Sequence, residues 1–411
     1  MPWIEKKHFY KDFMDSIMTE IQNIPHEKVV WFGVHRRMGL IRDYLAALGI
    51  KLECVIDNNP DKQGTIIKRE WCLPLTKKYV HVDDCAIDRI VANRDLGDLS
   101  VLSPEMFSEQ LSNIGDVLFF TAIEDFESVR EQLLVMGASD EKIIKLPSEA
   151  VLWGEACEYF DSIFLSKEPK DMPEHKATII RILQEFSEFC EKEGLKYYLA
   201  YGTLIGAVRH RGIIPWDDDI DVIMPIKDYN KFLQLYPRNQ RYEVLDHKVQ
   251  DDYFFPFAKL VDNQSKLHHV GCPITWYHGE YIDIFPVSGY PKEIEAEKWW
   301  DKIYLLDVEW YWYYIARDIV PNLEDPRERI QKERFKYPCD DGNDVGVMMT
   351  LPPKPWKSKA DFWLAETYMQ FEGGEYRVPA GYDNHLKSIY GDYMKLPPVE
   401  KREVHGFPTY Y

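Results

Sequence analysis

Four aspartates fall within five residues of the stretch GTLIGAVRHRGIIPWDDDIDVIMP, Gly202 to Pro225: Asp217, Asp218, Asp219 and Asp221. Side chains on a strand alternate between its faces, so a strand here would turn Ile220 and Val222 into a core and line Asp217, Asp219 and Asp221 along the other side. Residues two apart on a strand stand about 6 to 7 Å from each other. Like charges at 4 Å and an effective dielectric of 20 repel by roughly 4 kcal/mol, so such a cluster calls for a cation or for raised pKa values. Mg²⁺, or Mn²⁺ in its place, is the natural partner: a hard ion held by a few carboxylates, with water and phosphate oxygens completing its shell. Asp283 in YIDIF has the same setting between Ile282 and Ile284 and could bring a further carboxylate from a neighbouring strand. The plainer reading, a solvated acidic turn, fits less well because the charges run into the strand. A calcium loop is excluded, since Val222 and Lys62 occupy the sixth positions of the loops starting at Asp217 and Asp57, where glycine is required.

The phosphate half of such chemistry would sit at YGTLIGAVRHRG. Gly202 and Thr203 lie at an expected strand-to-helix turn, where backbone N–H groups and the helix dipole favour an anion. It is not a P-loop, because no lysine follows Gly202 at the required place. A Gly-Thr turn alone is usually only a turn; with an acidic strand following it, it becomes one side of a metal–phosphate clamp.

These residues need elements to hold them. Ile179, Ile182, Leu183, Phe186, Phe189 and Cys190 recur at helical spacing, and Gly194 marks the helix end. KYYLAYG reads as a strand, Thr203 to Val208 as a short helix, Ile220 to Met224 and Glu280 to Phe285 as strands. Upstream, Val29 to Val34, Lys51 to Asp57, Asp116 to Thr121 and Lys142 to Leu146 are apolar strand runs, with helices expected over Arg36 to Leu48 and Ser128 to Met136. That alternation predicts an α/β N-terminal Rossmann-like domain over residues 1–165, a linker over 166–173 and an α+β domain over 174–411. In the first turn His35 stands where a dinucleotide fingerprint has its second glycine, which argues against NAD; Asp57, at the end of the second strand, suits either a ribose contact or a turn.

The chain has 411 residues, a length that suits two or three domains with packed cores, and a formal charge of -19, the wrong sign for nucleic acid. No apolar run reaches the roughly 18 residues of a membrane span, and the start lacks a signal-like stretch, so a cytoplasmic protein without a transmembrane segment is expected. Seven scattered cysteines without a C-x-x-C pair suit free thiols.

The stretch AYGTLIGAVRHRGIIPWDDDIDVIMPIKDYNKF resembles the signature of the LicD family of phosphoryl transferases, related to the fukutin group in the nucleotidyltransferase superfamily. FAKLVD (Phe257 to Asp262), YIDIFPV (Tyr281 to Val287) and the tail KSIYGDYMKLPPVEKREVHGF (Lys387 to Phe407) extend the resemblance over about residues 175 to 411. It implies a nucleotidyltransferase-fold catalytic domain. It further implies Gly202 and Thr203 at the nucleotide phosphates, Asp219 and Asp221 as metal ligands, and Asp283 as third ligand or base. The implied reaction moves phosphocholine, or a similar phospho-alcohol, from CDP-choline or a related CDP-alcohol onto a saccharide hydroxyl and releases CMP. Arg209, His210 and Lys259 are candidate phosphate contacts, or else ordinary solvent-facing charges. Tyr390, Gly391, Asp392 and His405 match the family's tail. His268, His269 and Cys272 lack a fourth ligand at a usual zinc spacing. The aromatic run Trp310 to Tyr314 could cage a quaternary ammonium, although five consecutive aromatics cover every face of a helix and most must pack. The N-terminal domain is expected to bind a nucleotide or sugar or to mediate homo-oligomer formation. A D-x-D glycosyltransferase using a nucleotide-sugar is the competing enzyme reading, and an inactive scaffold the competing non-enzyme one.

Overall fold

The structure, a computed structural model, describes residues 19, 21, 23–33, 45, 49–67, 99–121, 123, 125–145, 171–238, 240–251, 253, 255–265, 267–269, 279–317, 324–339, 344–349, 358–359, 365–398, 402 and 408–410. The chain divides into two compact units, one of Met1–Ala156 with Tyr311–Asp325, the other of Cys157–Trp310 with Pro326–Tyr411. Residues 166–170 of the expected linker lie outside the described residues.

In the first unit, β1 (Lys28–Phe32), β2 (Leu52–Ile56), β3 (Ile66–Ile67), β4 (Leu99–Leu102), β5 (Val117–Thr121) and β6 (Ile143–Lys145) form one sheet in the order β3-β4-β2-β1-β5-β6. Five strands run parallel, and β3 pairs antiparallel at the edge. Alternate residues serve opposite cores: Val29 and Trp31 of β1 pack with Leu118 and Phe120, while Val30 and Phe32 pack with Phe119, Leu133 and the strand ends. Continuous apolar strands are what a sheet covered on both faces requires. Helices α1 (Pro104–Gln110) and α2 (Phe126–Met136) follow β4 and β5. Asp57 ends β2 as a turn residue, since its carboxylate accepts the Asn59 N–H at 2.8 Å and the Lys62 ammonium at 3.2 Å.

The second unit opens with α3 (Met172–Glu193). Asp171 caps it by accepting the Glu174 N–H, and Gly194 closes it. Its buried stripe runs His175, Thr178, Ile179, Ile182, Leu183, Phe186 and Cys190. Then follow β7 (Tyr198–Leu199), α4 (Tyr201–His210), β8 (Asp221–Pro225), α5 (Ile226–Leu235), β9 (Tyr242–Leu245), β10 (Ala258–Asp262), β11 (Leu267–His269) and β12 (Tyr281–Gly289). After these come α6 (Ala296–Ala316), which counts with this unit as far as Trp310, α7 (Arg327–Arg334), β13 (Asp344–Val347), β14 (Ser358–Lys359), the hairpin β15 (Glu366–Phe371) and β16 (Gly374–Pro379), α8 (Tyr382–Tyr390) and β17 (Pro408–Tyr410). Strand β12 is the hub of the main sheet. It pairs antiparallel with β10 and β13 and parallel with β8, which in turn pairs antiparallel with β7. Parallel pairing of β8 with β12 is what a long crossover permits, and it joins the two aspartate-bearing segments directly. No described helix is long and apolar enough to cross a membrane.

Trp310, in the aromatic run of α6, is core: fully buried, its ring edge meets His247 at 5.0 Å. Tyr313 is buried as well, and the side chains of Tyr311, Trp312 and Tyr314 lie outside the described residues.

Candidate active site

The aspartate cluster is built by a loop more than by a strand. Asp221 is the first residue of β8, and Asp217 to Ile220 precede it without ladder pairing, so the expected single face of Asp217, Asp219 and Asp221 does not form. Two close approaches explain the fold of the segment. A Cβ on Gly206 would lie 2.5 Å from the Gly212 carbonyl oxygen, so the chain leaving α4 can fold back over that helix only past a glycine. A Cβ on Gly202 would lie 2.7 Å from Asp217 Oδ2, so the Asp217 carboxylate rests against the first turn of α4, where the helix dipole favours negative charge. The anion seated closest to the expected phosphate turn is therefore one of the protein's own carboxylates. Beside it Tyr201 adopts φ +45, a left-handed conformation that costs a side-chain-bearing residue on the order of 1–3 kcal/mol. Its ring packs edge-on against Phe285 of β12 at 5.5 Å.

The loop's backbone is secured group by group. The Asp217 N–H donates to the Ile214 carbonyl at 2.9 Å, the Asp221 N–H to Thr203 Oγ1 at 2.8 Å, the Asp283 N–H to the Ile220 carbonyl at 2.9 Å, and the Ala200 N–H to the Asp221 carbonyl at 3.0 Å. Leaving such a buried group unpaired would cost about 1–3 kcal/mol. The Asp218 carbonyl is taken by a residue that no motif marks: His175 Nε2, 2.6 Å away.

Register brings the charges together. Asp283 lies opposite Asp221 across β12 and β8, and opposite Lys259 across β12 and β10. Strands about 4.8 Å apart thus carry Asp221, Asp283 and Lys259 in a row. Burial, reinforced by the charges of Asp219, Asp283 and Asp217, holds the Asp221 carboxyl well above the usual carboxylate range; Lys259 opposes the shift. Lys259 is itself buried and ion-paired with Asp283. Its ammonium stands 3.4 Å from the Tyr281 ring centre, 4.7 Å from that of Phe255 and 5.4 Å from that of Phe257. Burial draws the Lys259 pKa down while Asp283 holds it up. Expected as a phosphate contact, Lys259 is placed facing Asp283.

Ligand atoms of Asp217, Asp218 and Asp219 all lie within 4.8 Å of one another, a spacing suited to one cation. Asp221 and Asp283 fall outside that trio, yet Asp219 and Asp217 both act on Asp221. The loop and the strands therefore border a single acidic centre, in which Asp217 takes part. A divalent cation fits this set: hard oxygen donors, a carboxyl in Asp221 that burial resists ionising, and repulsion that only positive charge relieves.

Other expected residues have different places. The Thr203 hydroxyl oxygen is on Asp221. Arg209 Nη1 donates to the Tyr393 carbonyl at 2.5 Å and its Nε to His210 Nε2 at 2.9 Å, so His210 is an acceptor there, its pKa lowered by burial and by Arg209. Arg209 thereby ties α4 to the segment after α8. Arg402 adds a second tie, its guanidinium 4.5 Å from the ring centre of Trp216 just before the aspartates. Tyr390, at the end of α8, is 43% exposed, yet its phenol is held above the usual range by burial and by Asp221, Asp217 and Asp219. His405 and Cys272 lie outside the described residues, as do the side chains of His268 and His269.

Sequence reading missed His175 and Glu280. The signal was present: the apolar stripe of α3 begins at Ile179, and one helical step of four back from it is His175, on the same buried face.

Comparison with known proteins draws on the same segment. Residues 194–324 match the LicD/FKTN/FKRP nucleotidyltransferase domain family, a span that includes Gly202, Asp219, Asp221, Lys259 and Asp283 and stops before the C-terminal hairpin and α8. The chain is 28% identical over 260 residues to the lipopolysaccharide cholinephosphotransferase LicD of Haemophilus influenzae, covering 58% of this chain and 97% of that protein. It is 33% identical over 85 residues to the human ribitol 5-phosphate transferase FKRP, 18% of this chain and 17% of that one. A 66-residue match at 32% identity to mannosyltransferase regulator 4 of Saccharomyces cerevisiae covers 16% and 6% of the two chains.

Proposed function

We propose, from the premise that this chain is a LicD-family phosphotransferase related to fukutin, that it transfers a phospho-alcohol from a CDP-alcohol to a hydroxyl of a cell-surface glycan precursor, releasing CMP. Phosphocholine from CDP-choline is the first donor to test, because the relative matched along nearly its whole length is a cholinephosphotransferase. The observation that carries the reading is the convergence of Asp219, Asp221 and Asp283, from a loop and two paired strands, into one centre whose charge calls for a cation.

Asp219 and Asp221, with Asp217 and Asp283 beside them, would hold Mg²⁺; when bound, the ion neutralises charge on the diphosphate and its leaving oxygen. The chain's own residues set the geometry. Thr203 fixes the start of β8 through the Asp221 N–H, and Lys259 keeps Asp283 oriented. Asp283, opposite Asp221 across β12 and β8, is the candidate to accept the acceptor's hydroxyl proton. Tyr390 borders the same centre from the C-terminal segment and, its phenol held protonated, is suited to donate a hydrogen bond to a phosphate oxygen.

The test is CMP release from a panel of CDP-choline, CDP-ethanolamine, CDP-glycerol and CDP-ribitol with Mg²⁺ and candidate glycans, using the intact protein, Asp219→Ala and Asp221→Ala. Release with one donor that vanishes in both variants is expected. Turnover only with nucleotide-sugars would instead establish a glycosyltransferase.

A further inference from the structure

His175 is a polar residue in the buried stripe of α3, 2% exposed, and it spans the two halves of the acidic centre. Its Nε2 lies 2.6 Å from the Asp218 carbonyl, in the loop that carries Asp217 and Asp219. A carbonyl only accepts, so Nε2 carries a hydrogen. Nδ1 lies 2.9 Å from Glu280 Oε1, and Glu280 is fully buried three residues before Asp283 on the chain entering β12. Glu280 is fixed in turn: its N–H donates to Ser265 Oγ at 2.8 Å, and that hydroxyl donates to the Asp262 carbonyl at 3.0 Å. A leucine would fill the same place in the stripe with no desolvation cost, so packing alone does not account for an imidazole here.

We propose that His175, oriented by Glu280, is a positioning residue that sets the distance between the carboxylate loop and the Asp283 strand, and so the affinity of the centre for a divalent cation. The proposal rests on the metal-holding role assigned above. Partners one step removed from a metal's ligands typically change affinity by about 10–100-fold when lost. The imidazole acts through the Asp218 backbone and touches no substrate, so its signature is in cation binding rather than in protein stability.

The experiment is Mn²⁺ binding to the full chain, followed by the loss of the free-ion electron paramagnetic resonance signal, with urea unfolding as the control for folding. His175→Gln keeps an amide donor able to reach the Asp218 carbonyl, and His175→Asn does not. Affinity within about threefold of wild type is expected for Gln, and a loss of about 10–100-fold for Asn, in proteins of equal unfolding midpoint. If Asn at 175 does not fold, Glu280→Gln, whose amide can still pair with Nδ1 of the imidazole, and Glu280→Ala, which cannot, make the same comparison with the same expected split. Wild-type affinity in His175→Asn or Glu280→Ala overturns the proposal and leaves the metal reading standing. Absence of Mn²⁺ binding by the wild type overturns the metal reading itself, and the positioning role with it.

Discussion

At the scale of single residues, the centre trades stability for a binding potential. Asp221 is buried among like charges, and its carboxyl titrates above the range it would have in the unfolded chain. The sign follows from linkage: a carboxyl whose folded pKa is raised binds more protons folded than unfolded, so its contribution is present at low pH and is lost as pH rises through the folded value. In the metal-free protein Asp221→Asn should therefore raise stability at pH 7 by about 1 kcal/mol or more and flatten the loss between acid and neutral pH, while abolishing turnover. Urea unfolding at pH 5 and pH 7, with and without Mg²⁺, reads both effects; a variant less stable than wild type at both pH values would sink the account. The aspartates themselves were legible in the sequence because their chemistry is local and their spacing unusual. His175 was legible only in its place on the buried face of the helix, not in its role, since a histidine on an apolar face reads the same whether it packs or braces.

Among the elements, the cross-strand pair of β10 and β12 is the critical join. Lys259 and Asp283 stand opposite one another, the lysine buried beneath three aromatic rings. Removing one partner leaves a largely buried charge without its counter-ion, so Lys259→Met should cost about 3–5 kcal/mol. Thermal or urea unfolding measures this, and a cost under about 1 kcal/mol would show that Asp283 finds another cation or a proton. The helix over 172–193, the short helix after Gly202 and the strand into YIDIF could all be expected from periodicity and turn residues. The hairpin β15–β16 and the tie from Arg209 to the Tyr393 carbonyl could not, because neither end of a long-range contact carries a mark of the other.

At the scale of the whole molecule, a formal charge of -19 sets the long-range field. An anionic CDP-alcohol, the donor proposed above, would approach against that field, so its KM should fall about two- to threefold between 0.01 and 0.15 M salt at fixed free Mg²⁺, as the screening length contracts from about 30 to about 8 Å. A KM that rises with salt would point instead to local positive steering at the site mouth. Length, composition and apolar alternation determined by themselves that there are packed α/β cores, that acidic chemistry is concentrated near Asp219, and that Asp283 has a matching setting. Those are properties of neighbours along the chain, within reach of a period of 2 or 3.6 residues. Tertiary structure alone decided that β8 pairs with β12, that Asp217 joins the centre by resting on the turn at Gly202, that Lys259 faces Asp283, and that His175 reaches the Asp218 carbonyl. Each depends on strand register or loop closure between segments tens of residues apart, and register is settled by the packing of the whole sheet, which no short stretch of sequence contains.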